Sequence, residues 1–448
     1  MSQSERKLHL NAFLYGTGHH EASWRLPDAQ PEKNTDFRHV RTIAETAERG
    51  LLDSLFLADG YEGRSNRLEP FTLLSALAAV TKRIGLIATV GTTYNEPFHV
   101  ARKFASLDHI SKGRAGWNIV TGAGPAARNF SRDEHPEHDE RYRTAEEFVE
   151  VVTRLWDSWE DDAVVNDKAG GVHIDGNKVH DIDFEGERYK VRGPLNIARP
   201  PQGYPVLVQA GSSETGKSFA AKYAEVIFTA QQTLGDAQAF YRDVKSRLTA
   251  YGRHPDELKI LPGISPILAA TEAEARELED ELFNLIDLES AVRRLSQRLG
   301  LDLAAFGIDE PLSVEGIRGT EQVNGNQSRH QLILDLIRSE KLTPRQLVKR
   351  LGGARGHFTF TGTPLQLADV IENWFRDGGA DGFNVMPQIY PGGLDLFVDR
   401  VVPELQNRGL FRTEYEGETL RDRLGLARPA NRLFPAAGAA GYEEVGGA

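Results

Sequence analysis

The residues best suited to chemistry lie between positions 114 and 142, where an apolar segment runs into a polar loop, RAGWNIVTGAGPAARNFSRDEHPEHDERY. The segment 115–120 predicts a buried strand that breaks at TGAGP. His138 and Tyr142 are four residues apart, so a helix beginning near Pro136 would place both side chains on one face. There they could together hydrogen-bond the polar edge of a ligand.

Two other interpretations of this loop remain open. The run DEHPEHDE could be a solvated acidic loop with incidental histidines. It could instead bind a metal ion, because His135 and His138 lie among four acidic residues. That spacing matches no specific metal motif and the chain contains no HExxH, so we predict no metal site.

The segment QAGSS at 209–213 predicts a phosphate site at the start of a helix. Gly211 permits close approach of a ligand, and Ser212 and Ser213 supply hydroxyls and backbone N–H groups. The free N–H groups and the dipole of a helix N-terminus attract a phosphate. Either serine could instead be only the N-cap of the helix, which is the commoner role, and the two roles can coexist.

Polar residues also follow other apolar segments. Asp59 is either a helix-capping carboxylate or a ligand group. His19 and His20, near Trp24, could line a pocket for an aromatic or apolar substrate, although two adjacent histidines cannot point the same way. The remaining polar residues at strand ends are Tyr61, Thr92, Thr93, Tyr94, Asn95 and Asn118.

These residues would meet in one site if their strands run parallel. The sequence predicts eight strands, at 8–14, 53–58, 84–90, 114–121, 206–209, 226–229, 260–268 and 382–386, each with a following helix. The strands are apolar throughout, which is typical of a parallel sheet covered by helices. We therefore predict an α/β fold, a TIM (β/α)8 barrel with long insertions in the loops, and a site at the carboxyl ends of its strands.

An open doubly wound sheet could hold the same elements, but no GxGxxG follows the first strand. We predict a single barrel domain over residues 1–430, with insertions near 160–203 and 287–360. The second insertion is predicted to be helical over 330–338 and 344–351. Residues 431–448 are rich in small residues and are predicted to form a flexible C-terminal tail.

The composition and the missing motifs exclude several classes of function. The 448 residues include 53 Lys+Arg and 65 Asp+Glu, and a net charge of -12 argues against a nucleic-acid partner. The absence of cysteine excludes disulfides, thiolate metal sites and cysteine nucleophiles. Neither a membrane-spanning apolar run, a signal peptide, a GxSxG elbow nor a Walker A motif occurs. We predict a cytoplasmic protein that contacts no membrane.

Taken together, the chain resembles the flavin-dependent two-component monooxygenases of the bacterial luciferase superfamily. The resemblance is greatest to the nitrilotriacetate, EDTA, dibenzothiophene-sulfone and long-chain alkane monooxygenase group. It extends in order from residue 8 to about residue 430. The motifs are GHHEASWR (18–25), SLFLAD (54–59), ARKFASLDHISKGRAGWNIVTG (101–122), NFSRDEHPEHDERY (129–142), QAGSSETG (209–216) and FTGTPLQLAD (360–369).

This resemblance implies reduced FMN (FMNH2) delivered by a separate NAD(P)H-dependent flavin reductase, with O2 as co-substrate. A C4a-peroxyflavin would oxygenate a small organic substrate by hydroxylation or by C–N or C–S cleavage, in a homodimer or homotetramer. The flavin would carry the chemistry while the protein orients it and excludes water. The alternatives are an F420-dependent oxidoreductase or a non-catalytic flavin-binding barrel; an aldolase or isomerase is disfavoured because no strand-end lysine is evident.

The resemblance also implies roles for individual residues. FMN would contact seven residues, with both serines at the phosphate and Asn118 near the ring edge: Asp59, Thr93, Asn118, His138, Tyr142, Ser212 and Ser213. Substrate-side or proton-handling roles fall on His20, Tyr61, His138 and His330. Of these, His330 lies in a variable insertion.

Overall fold

A closed ring of eight parallel strands forms the centre of the protein. The computed structural model describes residues 6–61, 66–122, 126–300, 302–313, 327–354 and 356–434. The strands in this part are β1 (His9–Phe13), β2 (Ser54–Leu57), β3 (Gly85–Gly91), β4 (Ala115–Val120), β5 (Val164–Asp167), β6 (Val172–Ile174), β7 (Phe184–Glu185), β8 (Lys190–Val191), β9 (Val206–Gln209), β10 (Val226–Thr229), β11 (Lys259–Leu268), β12 (Phe358–Gly362) and β13 (Gly382–Val385).

Helices cover the outside of the ring, and most begin with a side-chain cap or a proline in the first turn, as good helix starts do. They are α1 (Phe37–Arg49), α2 (Pro70–Val80), α3 (Pro97–Ser111), α4 (His138–Asp157), α5 (Glu214–Tyr223), α6 (Leu234–Arg247), α7 (Glu272–Asn284), α8 (Leu288–Leu299), α9 (Gln327–Glu340), α10 (Pro344–Gly352), α11 (Pro364–Arg376), α12 (Gly392–Leu396), α13 (Val402–Asn407) and α14 (Leu420–Arg423).

The ring closes in the order β1-β2-β3-β4-β9-β10-β11-β13. β1 pairs in parallel with both β2 and β13, so that Asn11 lies opposite Ser54 on one side and Asn384 on the other. β10 pairs with β11, which completes the circle. The predicted TIM barrel is confirmed, and each of the eight predicted strands overlaps a strand of the ring.

One strand that pairs with the ring was not predicted. β12 pairs with Ile264–Leu268, the second half of β11, whereas β13 pairs with β11 only at Gly263 and Ile264. β11 is ten residues long, so its carboxyl half extends beyond the ring and leaves an edge that β12 covers. The prediction had assigned residues up to 360 to the insertion. Helix α4 begins at His138, two residues after the start near Pro136 that would place His138 and Tyr142 on one face.

The two insertions have different structures. The first, near 160–203, contains two antiparallel hairpins, β5–β6 and β7–β8, of which only the second, near residues 184–191, was predicted. The second insertion contains α8, α9 and α10, and α8 was not predicted. These three helices share an apolar core of their own, which includes Ala291, Leu299, Ile333, Ile337, Leu347 and Leu351.

The segment that follows α13 packs across the amino end of the barrel. Leu420 and Leu424 join the apolar side chains that fill the inside of the ring. Farther along, the Asn431 amide donates to the backbone oxygens of Asp157 and Trp159, at 2.9 and 3.1 Å. Residues 431–434 of the predicted flexible tail are thus packed on the barrel, and residues 435–448 lie outside the described part.

Candidate active site

Three cavities open at the carboxyl ends of the ring strands. The tyrosine cavity, of about 260 Å³, is lined by Asp59, Tyr61, Thr89, Thr93, Tyr94, Val120 and His135. The histidine cavity, of about 540 Å³, is lined by Tyr15, His19, His20, Trp24, Asn34, Arg67, Arg294 and Leu295. The serine cavity, of about 760 Å³, is lined by Ser212, Ser213, Phe228, Thr229, Gln232, Arg329 and His357.

A fourth space connects the first two. This connecting cavity, of about 150 Å³, shares Asp59 and Gly60 with the tyrosine cavity. It shares Tyr15, Asn34 and Arg67 with the histidine cavity. The loops that follow the first four ring strands therefore enclose one run of adjoining cavities.

The serine cavity contains the start of α5, which was predicted to bind a phosphate. Ser213 is the N-cap of this helix, and its hydroxyl accepts a hydrogen bond from the Gly216 N–H at 3.1 Å. The hydroxyl groups of Ser212 and Thr229 are hydrogen-bonded to each other at 3.2 Å. Ser213 is therefore the serine that caps the helix. Its side chain satisfies one N–H group of the first turn, and a helix start has further backbone N–H groups that a ligand can bind.

Polar side chains lie close to the backbone at the start of α5. A β-carbon on Gly211 would lie 2.4 Å from the Gln209 amide nitrogen and 2.6 Å from the Tyr142 hydroxyl. A β-carbon on Gly216 would lie 2.9 Å from the same hydroxyl. A side chain at either position would therefore press on the Tyr142 hydroxyl, which meets the first turn of α5. Hydroxyl donors at a helix N-terminus suit a phosphate group.

Tyr142 is protonated and can therefore donate a hydrogen bond from its hydroxyl group. Burial raises its pKa, and the neighbouring Ser213, Arg141 and Gln209 oppose the shift only in part. The tyrosine therefore keeps its proton at neutral pH. Within the described residues, the buried Gln209 side-chain oxygen beside it has no hydrogen-bond partner. A buried polar atom without a partner is uncommon in a folded protein and favours a ligand or water at this point.

His138 lies next to this group, as its spacing from Tyr142 predicted. The rings of His138 and Tyr142 are 5.0 Å apart between centroids, on the first turns of α4. The Nδ1 atom of His138 is 3.0 Å from the Asp139 carboxylate. The structure therefore brings together four of the predicted FMN contacts: His138, Tyr142, Ser212 and Ser213.

The tyrosine cavity has aromatic walls. Tyr94 stacks on Phe130 with centroids 4.5 Å apart and an interplanar angle of 6°, and Tyr61 meets Phe130 edge-on at 4.8 Å. The Tyr94 hydroxyl is hydrogen-bonded to His135 Nδ1 at 2.7 Å. Of these residues only Tyr61 was predicted to act on the substrate. Tyr94 and His135 were recognised as polar residues near strand ends, His135 also as a possible metal ligand, and Phe130 gave no signal of its own.

Three predicted flavin contacts lie at or below this cavity. The Thr93 hydroxyl donates to the Thr121 carbonyl at 2.6 Å, and Thr93 lines the cavity. Asn118 is buried one layer below: its amide donates to the Thr89 hydroxyl at 2.8 Å, and its side-chain oxygen lacks a partner among the described residues. Asp59 lies at the mouth, where partial burial raises the pKa of its carboxyl group.

The two adjacent histidines point in different directions. His19 donates from Nε2 to the Phe13 carbonyl at 2.7 Å, beside the inside of the ring. His20 accepts the Ala22 N–H at Nδ1, at 3.1 Å, and therefore carries its proton on Nε2. Burial lowers the pKa of His20 to about 4. At neutral pH, His20 is thus a neutral hydrogen-bond donor in the wall of the histidine cavity.

His330 lies away from the cavities. It is buried in α9, 2% exposed, and lines none of the four cavities. Its neighbour Arg329 does line the serine cavity and donates to His357 Nε2 at 3.1 Å. The predicted substrate-side role of His330 stays a prediction.

Two further properties concern the molecule as a whole. The described residues include no set of three or more His, Asp or Glu side chains placed to hold a metal ion. Across the same part of the chain, every helix is too short or too polar to cross a lipid bilayer.

Comparison with known proteins gives consistent results. The sequence profile of the luciferase-like monooxygenases matches residues 18–382. Nitrilotriacetate monooxygenase component A of Aminobacter aminovorans is 51% identical, over 96% of this chain and 99% of that protein. N-acetyl-S-(2-succino)cysteine monooxygenase of Bacillus subtilis (strain 168) is 50% identical over the same shares.

Solved structures show the same architecture. A long-chain alkane monooxygenase superposes with a TM-score of 0.81 at 33% identity, covering 94% of this chain and 96% of that one. A riboflavin lyase solved with modified FMN and riboflavin has the same TM-score and coverage at 32% identity. An F420-dependent reductase of Methanopyrus kandleri, at 16% identity and a TM-score of 0.54, shares the fold alone. The chain belongs to the luciferase-like monooxygenase family.

Proposed function

We propose that the protein is a monooxygenase that uses reduced FMN and O2 to oxygenate a small organic substrate. The observation that carries the proposal is the phosphate cradle, formed by Gly211, Ser213, Gly216 and Tyr142, at the same barrel end as the tyrosine cavity. The phosphate cradle suits the phosphate of FMN, and the aromatic walls of the tyrosine cavity suit its flat ring. Family membership supplies the reaction class.

The residues divide the work of holding the cofactor. Ser212, Ser213, Tyr142 and His138 would bind the phosphate end. Thr93, Asn118 and Asp59 would lie towards the ring, and the unpartnered Asn118 oxygen fits an N–H donor of a flavin. When bound, reduced flavin supplies the activation of O2, while the protein orients it and keeps water away.

On the substrate side, the neutral Nε2–H of His20 would donate a hydrogen bond into the histidine cavity. The Tyr61 hydroxyl, which accepts from the Asn95 amide at 3.0 Å, would hold a proton at the edge of the tyrosine cavity. His138 and His330 would also handle protons in the reaction. Hydroxylation and C–N or C–S cleavage are both within this proposal.

A second protein is part of the proposal. The relative from Aminobacter aminovorans is named as component A, which supports a separate NAD(P)H-dependent flavin reductase as the source of reduced FMN. We also propose a homodimer or homotetramer. The F420-dependent alternative has only the shared fold in its support.

The decisive experiment compares binding of reduced FMN and reduced riboflavin, which lacks the phosphate, by anaerobic titration. We expect FMN to bind more tightly to the wild-type protein. In Gly211→Ala the added methyl group would occupy space beside Gln209 and Tyr142, and the preference for FMN should fall. Equal binding of both flavins by the wild type would contradict the proposed phosphate cradle.

Binding alone does not separate an oxygenase from a flavin store. The reduced complex is therefore mixed with O2 in the presence of a flavin reductase and a panel of organic substrates. An oxygenase incorporates one atom of 18O2 into a product, whereas a flavin store releases only peroxide and oxidised flavin. Product without isotope would reject the proposed reaction.

A further inference from the structure

We infer that the histidine cavity binds a carboxylate group through Arg67, so that the substrate is an organic anion. The reaction in this inference rests on the proposed function. The anion site itself can be measured separately, because it lies in the histidine and connecting cavities rather than at the phosphate cradle.

Arg67 is held in position by an aromatic ring. Its guanidinium carbon lies 4.2 Å from the centroid of Tyr15, which follows β1. Tyr15 is itself packed against Phe13, at 6.4 Å, and stacked on His19, at 5.2 Å. Stacking on one face of the guanidinium group leaves its N–H edge available for the paired hydrogen bonds that a carboxylate accepts.

Arg67 forms no ion pair with the described residues, although it is half-buried and two carboxyl groups are near it. Glu69 accepts hydrogen bonds from the N–H groups of Phe71 and Thr72 and so caps α2. Asp59 interacts with Arg67 only at longer range, and burial raises the pKa of that carboxyl group. A partly buried cation whose carboxyl neighbours in the described part of the chain are not in ion-pair contact is costly, and a ligand carboxylate would offset part of that cost.

The cavity differs in charge from the protein as a whole. The chain has a net charge of -12. The described lining of the histidine cavity contains Arg67 and Arg294 against a single carboxylate, Glu21, and His20 in this lining is neutral at pH 7. Both oxygens of Glu21 are 3.0 Å from an Arg294 nitrogen, so these two charges cancel. Arg67 is then the cation that an anion in the histidine cavity can meet, while Asp59 and Glu69 lie on its other side, in the connecting cavity.

The surrounding side chains suit the rest of such a ligand. Asn34 lines both cavities next to Arg67, and its buried side-chain oxygen lacks a hydrogen-bond partner within the described residues. The amide can present either its oxygen or its NH2 group to a ligand. The volume of about 540 Å³ and the apolar wall of Trp24 and Leu295 leave room for a carbon skeleton with more than one carboxylate.

The test uses nitrilotriacetate, a tricarboxylate, and dibenzothiophene sulfone, an uncharged molecule, as probes in metal-free buffer. Binding is measured by calorimetry on the full chain, with and without FMN. We expect Arg67→Gln to weaken nitrilotriacetate binding about tenfold or more, as loss of a charge-assisted pair does, and Arg67→Lys to recover part of it. Binding of the sulfone and of FMN should not change.

Arg154 provides the matched control, because it also stacks on a ring, that of Phe184, but lines none of the four cavities. Arg154→Gln should leave nitrilotriacetate binding unchanged. The inference is overturned if wild-type protein fails to bind nitrilotriacetate at millimolar concentrations, or if Arg67→Gln weakens both probes equally. Failure of FMN to bind, with carboxylate binding still dependent on Arg67, would reject the proposed function and leave this site standing.

Discussion

The two ends of the barrel bury different kinds of polar group. At the amino end, the fully buried Asp53 carboxylate accepts the Leu10 N–H at 2.7 Å and pairs with Arg412. At the carboxyl end, Asn118 and Gln209 each retain a buried side-chain oxygen without a partner among the described residues. Each such atom costs about 1–3 kcal/mol of stability. Side-chain nitrogens of Arg412 and Arg423 carry a similar cost at the amino end, so the ends differ in kind: charged nitrogens lack partners at one end and amide oxygens near the cavities at the other.

The amino end is also physically closed. Leu420 and Leu424 fill the ring from below, and Arg421 of the same helix pairs with Glu225 at 2.6 Å. At the carboxyl end the four cavities open instead. Changes at the amino end should therefore affect stability, and changes at the carboxyl end should affect binding.

Asp53→Ala is expected to have the largest effect on stability. It leaves Arg412, whose side chain is 9% exposed, without its counter-ion and removes the acceptor of the Leu10 N–H. The loss should be about 3–5 kcal/mol in denaturant unfolding. The dissociation constant for FMN, measured on the folded fraction, should stay constant. A weakened FMN affinity would break the division between the two ends.

The same pair makes stability depend on acid pH. Burial by itself raises the pKa of Asp53, but Arg412 and His9 outweigh it and lower the pKa to about 2. The carboxylate therefore contributes stability above its unfolded pKa of about 3.9, and the contribution is lost as pH falls towards 2. Asp53→Asn should lose less stability than the wild type over this range.

His20 gives the next largest effect and tests the comparison from the other end. Burial lowers its pKa to about 4, below the value of about 6.5 in the unfolded chain. Its contribution is present above pH 6.5 or so and is lost as pH falls through about 4, up to about 3 kcal/mol. Subtracting the profile of His20→Gln from that of the wild type should isolate this loss. Superimposable profiles would mean that His20 is solvated.

Much of this arrangement could be predicted from sequence, for identifiable reasons. The ring strands are buried on both faces, and so each appears as an apolar run. The His138–Tyr142 face and the Ser213 cap depend on contacts within a few residues. By contrast, Tyr94 meets His135 across 41 positions, and Arg412 meets Asp53 across 359. Such pairs depend on how strands and loops are brought together, which local patterns do not encode.

Ser213→Ala should weaken FMN binding by about 1–2 kcal/mol, the value of a charge-assisted hydrogen bond to the phosphate. It should also lower stability by about 1 kcal/mol, because the N-cap of α5 is lost. Riboflavin binding, measured by the same titration, should not change. Thr271→Ala is the matched control, since Thr271 caps α7 in the same way. It should reproduce the loss of stability without any loss of FMN affinity.

The smallest effect is expected for Arg294→Gln. This arginine of α8 pairs with Glu21 with the same chemistry as the pair at the amino end, but the two side chains are 58% and 36% exposed. Exposed pairs contribute about 1 kcal/mol or less, and added salt should reduce even that difference in unfolding free energy. A loss as large as that of Asp53→Ala would show that α8 is held by this pair. A small loss would assign that role to the apolar core that α8 shares with α9 and α10.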